Sequence, residues 1–163
     1  MKLASWNINS INLRKDTVLE WIYNQKIDVL SLQEIKCETN KFPHDFFNTK
    51  GFFTEVLGQK GYNGVAVISK FPIKLIRGKL PDFNDPEIQS RYLEVEINDF
   101  ILTSIYAPNG NPTNSPKFDY KIHWMNALFQ HSKSLIESEK PVILAGDFNV
   151  IPEEIDCWDE RIW

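Results

Sequence analysis

A chain of 163 residues that is 42% hydrophobic and 25% charged suits one domain with a sizeable core. Its formal net charge of −4 excludes binding to nucleic acid by bulk charge, so contact with a polyanion has to come from a local basic patch or a bound metal. Cys37 and Cys157 form no close pair, which argues against a disulfide framework or a thiolate cage and points to a reducing, cytoplasmic setting.

The first residues, Met1 to Asn7, lack the apolar core of a secretory signal, and no run is long enough to span a membrane. Lys2 to Ile8 reads as a strand, with Leu3, Ser5 and Asn7 on one side and Ala4, Trp6 and Ile8 on the other. Helical spacing of Val18, Trp21, Ile22 and Gln25 predicts a helix over 13–24. Ile27 to Gln33 is a second strand, with Glu34 at its end. Strand, helix, strand within this length is a βαβ unit, and its parallel strands bring Asn7 and Glu34 to the same edge. Ligands of open α/β sheets bind at that edge.

The middle reads as short strands at 52–57, 64–69, 73–77, 92–97 and 100–106, a meander within a mixed sheet. Asn98-Asp99 looks like a hairpin tip. Ala107 to Pro116 is a loop rich in Pro, Asn and Gly, longer than a plain connection needs. Ser115-Pro116 reads as the cap and first residue of a helix reaching Glu139, with an apolar stripe of Ile122, Met125, Leu128, Phe129, Leu135 and Ile136. His44, His123 and His131 read as surface or satisfied structural residues, and Trp21, Trp124 and Cys37 as core.

Pro141 to Val150 organises the rest. An apolar run in the style of a buried strand stops at Gly146, and Asp147 and Asn149 follow. Residues two apart on extended backbone point the same way, so both side chains can share one site. From this stretch alone an ordinary turn explains the same residues equally well. The other strand ends shift the balance. Asn7, Glu34, Tyr106, Asp147 and Asn149 all lie at or just beyond strand ends. Two carboxylates with neutral oxygen ligands suit Mg²⁺, and no His or Cys cluster competes for a softer metal. The chemistry that fits is metal-assisted hydrolysis of a phosphodiester. From Gly58 to Leu80 the chain has Lys60, Lys70, Lys74, Arg77 and Lys79 and no acid, a patch suited to phosphates or equally to a solvated sheet face.

Ser5-Trp6-Asn7-Ile8-Asn9, Leu32-Gln33-Glu34-Ile35-Lys36, Tyr106-Ala107-Pro108-Asn109-Gly110 and Gly146-Asp147-Phe148-Asn149-Val150 resemble the successive signatures of the endonuclease/exonuclease/phosphatase superfamily. The branch is that of exonuclease III and the apurinic/apyrimidinic (AP) endonucleases. One such motif is weak, but four in the same order are strong. The resemblance implies an α/β (α+β) sandwich of four layers, two mixed sheets with outer helices. It implies Mg²⁺, with Mn²⁺ as a substitute, held around Glu34, Asn7, Asp147 and Asn149. Tyr106 would contact the scissile phosphate, Asp147 would position or deprotonate the water, and Asn149 would bind a phosphate oxygen. Asn9, Lys36 and Asn109 fall on the substrate side. Tyr62, in the turn Gly61-Tyr62-Asn63-Gly64, would enter the DNA minor groove, and Arg91 would approach the DNA beside the site. The implied substrate is double-stranded DNA with abasic sites or 3′ ends, and the implied state is a monomer. Val150-Ile151-Pro152 departs from the inositol polyphosphate phosphatases, which place an aromatic residue and Arg there.

The family pattern continues past Trp163 with a late Asp and a Ser-Asp-His element, so this sequence is expected to be a C-terminally incomplete single domain. An exposed apolar patch and unpaired strand edges are expected with it. The readings left open are DNA repair nuclease, catalytically incomplete fragment that binds only metal or DNA, and superfamily phosphatase acting on a small phosphoester.

Overall fold

The computed structural model describes residues 1–159. Two four-stranded sheets lie face to face. The first has the order β1 (Leu3–Asn7), β2 (Val29–Gln33), β4 (Val65–Ser69), β3 (Phe53–Leu57). The second has the order β5 (Lys74–Arg77), β6 (Tyr92–Ile97), β7 (Phe100–Tyr106), β8 (Val142–Asp147). Helix α1 (Ile11–Gln25) and the short α2 (His44–Asn48) cover the outer face of the first sheet, and α3 (Pro116–Ile136) covers the second.

The middle strands therefore do not form one meander. β3 and β4 join the first sheet, and β5 to β7 build the second, because β4 pairs antiparallel with β2 rather than with β5. Strands β2 and β4 are buried along their whole length, as expected of strands covered on both faces. Their alternation divides the core. Leu30, Leu32, Ala66 and Ile68 face Val18 and Ile22 of α1, while Val29, Val65 and Val67 face Leu93, Val95 and Leu102 across the sandwich. The interior between the sheets also holds polar groups that satisfy one another. Ser31 Oγ donates to Ser104 Oγ at 2.8 Å, Ser104 Oγ lies 3.1 Å from the Leu32 carbonyl, and Gln33 Nε2 donates to Ser31 at 2.9 Å.

Local signals hold at the helix ends. Ser115 caps α3 by accepting from Phe118 N, with Pro116 as the first helical residue. Asn98, at φ 49°, turns the hairpin between β6 and β7. The apolar stripe expected on α3 is corrected. The buried residues are Trp124, Leu128, His131 and Leu135, while Ile122, Phe129 and Ile136 are exposed. These three lie on the outer side of α3, where Lys133 Nζ covers the Phe129 ring at 4.4 Å from its centroid. β8 is the outer strand of its sheet, and Ile143 on it is exposed. His131 replaces an apolar residue on the inner face because a carboxylate waits there: Glu94, 1% exposed, shares a 2.5 Å hydrogen bond with His131 Nε2 and accepts from Tyr92 at 2.6 Å. His44 is likewise a satisfied structural residue, bonded to Thr54 Oγ1 and the Thr39 carbonyl.

Candidate active site

Two strand pairs are parallel, β1 with β2 and β7 with β8. Their carboxyl ends meet at one rim, since β1 faces β8 and β2 faces β7 across the sandwich. Register finishes the placement: Asn7 is opposite Gln33, one residue before Glu34, and Tyr106 is opposite Asp147. Residues far apart in sequence so arrive as one cluster. Asn7 Nδ2 donates to Glu34 Oε1 and to Asp147 Oδ2, both at 2.9 Å. Lys36 Nζ lies 2.8 Å from Glu34 Oε2 and donates to Asn9 Oδ1 at 2.6 Å. The Tyr106 phenol lies beside the Glu34 carboxylate and favours its charged form.

The backbone around the rim is bent to make this possible. Asn9 (φ 46°), Ser10 (φ 86°), Glu34 (φ 52°), Lys36 (φ 52°) and Asn149 (φ 50°) occupy the left-handed region without being glycine. Each costs on the order of 1–3 kcal/mol, and such strain collects at functional sites. Asn149 shows what the strain does. The extended geometry expected through Asp147 and Asn149 ends at Asn149. Its backbone N–H turns back onto Asp147 Oδ1 at 2.9 Å, and its side-chain amide donates to the Ala107 carbonyl at 2.7 Å. Asp147 is thus held on both oxygens, by Asn7 and by Asn149.

Electrostatics follow from these contacts. Burial works to raise the Glu34 pKa, but hydrogen bonds from Asn7, Lys36 and Tyr106 outweigh it and leave the carboxyl below its usual range. Burial, then the bond to Glu34 and its charge, push the Tyr106 phenol up to about 12. Tyr106 is therefore a neutral O–H donor at neutral pH.

Arg91 sits over the Tyr106 ring, 5.0 Å from its centroid, and donates to the Tyr106 carbonyl at 3.3 Å and to Gln89 at 2.6 Å. Tyr62, 53% exposed, stands at the tip of a turn made by Gly61, Asn63 and Gly64, all at positive φ. Tyr62, Arg91 and Asn109 line one cleft of about 540 Å³ with Gln89, Lys117 and Tyr120. The site residues that the resemblance implies thus lie at the rim or in the cleft. The basic stretch is weaker than its composition suggests. Lys70 pairs with Asp28, Lys74 with Glu96 and Arg77 with Glu94, so these cations are spent on acids rather than on a polyanion.

The sequence reading missed Lys121, Lys117 and Tyr120. Lys121 Nζ reaches the carbonyls of Asn109 and Asn149, and burial lowers its pKa against the pull of Asp147. Their shared position on the first turns of α3, beside the Asn- and Pro-rich loop, is the signal that could have found them.

Comparison with known proteins agrees with this fold. The chain is 33% identical over 162 residues to an exodeoxyribonuclease of Bacillus subtilis, covering 96% of this chain and 61% of that protein. It superposes on a 3′ phosphatase from Neisseria bound to a product DNA hairpin with a TM-score of 0.88 at 34% identity, covering 100% of this chain and 63% of the other. An AP endonuclease from Archaeoglobus fulgidus matches with a TM-score of 0.86 at 32% identity over 95% of this chain and 60% of the other. The chain spans about three fifths of the length of these relatives. The model of the Endonuclease/Exonuclease/phosphatase family matches residues 4–162. With the sandwich, the rim and these likenesses together, the chain belongs to the Endonuclease/Exonuclease/phosphatase family.

Proposed function

We propose that this chain serves Mg²⁺-dependent hydrolysis of DNA phosphodiesters in base excision repair, cutting at abasic sites and trimming 3′ ends. The observation that carries the reading is Asn7 holding the carboxylates of Glu34 and Asp147 at 2.9 Å each, beside Tyr106. Two carboxylates gathered around one neutral amide form a site that favours a cation. The donors are carboxylate oxygens of Glu34 and Asp147, which fit a hard divalent ion, and among the described residues no His or Cys cluster adds soft ligands. Glu34 and Asp147 would hold the ion; the side-chain amides of Asn7 and Asn149, also expected around it, donate instead to those carboxylates and to the Ala107 carbonyl. A divalent ion held there would supply Lewis-acid stabilisation of the charge that develops on the phosphate.

The remaining work falls to the protein. Asp147, fixed on both oxygens, orients the attacking water and takes its proton. Tyr106 keeps its proton and donates to a phosphate oxygen, with Arg91 over its ring to hold it. Asn149 and Asn109 stand on the phosphate side, and Tyr62, Arg91 and Asn109 line the cleft for the strand. The printed names of the relatives, an exodeoxyribonuclease, a 3′ phosphatase on a DNA hairpin and an AP endonuclease, share phosphoester hydrolysis on DNA and support this substrate class.

A labelled duplex with one abasic-site analogue tests the reading. The chain is incubated with it in Mg²⁺ and in EDTA, beside Asp147→Asn. Mg²⁺-dependent nicking that the substitution abolishes is expected. Absence of nicking and of 3′-end trimming by a folded chain would overturn the proposal, in favour of a chain that binds metal or DNA without cutting.

A further inference from the structure

Lys121 belongs to none of the strand ends that build the rim, yet its ammonium ends there. Its Nζ donates to the Asn149 carbonyl at 2.5 Å and to the Asn109 carbonyl at 3.1 Å. These carbonyls belong to the two loops that follow β8 and β7. Each loop is tied in turn to the site: Asn149 to Asp147 through its backbone N–H and to Ala107 through its amide, and Ala107 N to the Asp147 carbonyl at 2.8 Å. Gly110 seats the lysine stem, for a Cβ there would lie 2.6 Å from Lys121 Cδ. A surface lysine normally keeps its head in water. This one exchanges water for two carbonyls, and bonds from a charged donor are the stronger kind.

We infer that Lys121 is a positioning residue, an ionic clip that fixes the Asn109 loop against the Asn149 loop and so sets the orientation of Asp147. It touches no reacting atom. The clip stands on geometry alone, and only its effect on turnover rests on the hydrolase reading above.

The test uses Lys121→Met, which keeps the stem and removes the charge, and Lys121→Arg, which restores a cation. Backbone amide exchange is measured at Asn149 and Asn111, whose N–H groups bond to Asp147 and Asn109 in the two loops. In Lys121→Met both amides should exchange about tenfold faster, while Leu128 in α3 and Leu102 in β7 keep their protection. In the nicking assay kcat should fall by about 100-fold with KM moving far less, as for a displaced catalytic group. Lys121→Arg should recover most of both. Unchanged exchange in the two loops, or equal acceleration throughout α3, overturns the inference. So does an unchanged kcat in Lys121→Met when the parent cuts DNA. If the parent does not cut, the hydrolase reading falls by itself, and the exchange measurement alone decides the clip.

Discussion

Asn7 on β1 donates to Asp147 on β8 at 2.9 Å, joining the two sheets across 140 residues of chain. The same amide nitrogen serves Glu34, so one uncharged group separates two carboxylates. Removing it leaves like charges adjacent and a hydrogen bond to each unmade. Asn7→Ala should lose about 1–3 kcal/mol of stability at neutral pH. If the rim takes a divalent cation, Mg²⁺ should restore part of that loss, because an ion that binds only the folded state stabilises it. Thermal melts with and without Mg²⁺ check this, and a variant with no Mg²⁺ response at saturating concentration would count against a metal at Glu34 and Asp147.

Tyr106 and Glu34 should titrate as partners. The phenol is pushed up to about 12 by burial first and by Glu34 second. Glu34→Gln removes the charge, so the Tyr106 transition should move down toward its ordinary position while burial holds it above. Absorbance of tyrosinate near the alkaline end, with Tyr106→Phe subtracted, reads the shift. The sign for stability follows. A folded pKa above the unfolded one contributes stability that is complete below the unfolded pKa and is lost as pH rises toward 12. Unfolding free energy should therefore fall more steeply above pH 10 in the parent than in Tyr106→Phe.

Glu94 offers a contrast, a buried charge cluster away from the rim. Its side chain is 1% exposed and lies against His131, Tyr92 and Arg77. Glu94→Ala should cost about 3–5 kcal/mol, since it strands its partners under α3. The urea midpoint reads this. A loss below about 1 kcal/mol would mean that the cluster relaxes or admits water. His131→Leu with Glu94 intact should also destabilise, because the carboxylate would lose a partner it cannot replace.

Much of this arrangement was legible in the sequence, and the reason is topological. The βαβ start fixed parallel β1 and β2, and parallel strands end together, so Asn7 beside Glu34 followed from strand boundaries alone. Ser115-Pro116 and Asn98 carried their own local chemistry. The partition of the middle strands did not follow, because strand pairing between β2 and β4 is a long-range choice that short apolar runs do not encode. The α3 stripe failed for a related reason. Phe129 and Ile136 fit a helical pattern with Leu128 and Leu135, but the sheet admits one face only, and Glu94 beneath it selects His131. Lys121 was harder to read because its partners are backbone carbonyls, and only its place on the first turns of α3, beside the Asn- and Pro-rich loop, marks it.

Gly146 makes the most demanding position of the site. It pairs with Ile105 in the parallel register of β7 and β8, one residue before Tyr106 meets Asp147. A Cβ built on Gly146 would lie 2.0 Å from the Ile105 carbonyl oxygen, an approach no side chain can make without backbone movement. Its φ of 155° lies in a region that L side chains rarely adopt, so backbone strain adds to that contact. Gly146→Ala must therefore push β8 away from β7 at the one place where Tyr106 and Asp147 are set. We expect a stability loss of about 1–3 kcal/mol, the range for overpacking, and a larger proportional loss of nicking. Gly51→Ala is the control. It has φ 84° and open space around its Cα, so only backbone strain of about 1 kcal/mol acts there, far from the rim. Urea midpoints and nicking rates for both variants separate the effects. Equal stability losses with full activity retained in Gly146→Ala would show that β8 absorbs the displacement and that the Tyr106–Asp147 register is not set by this close contact.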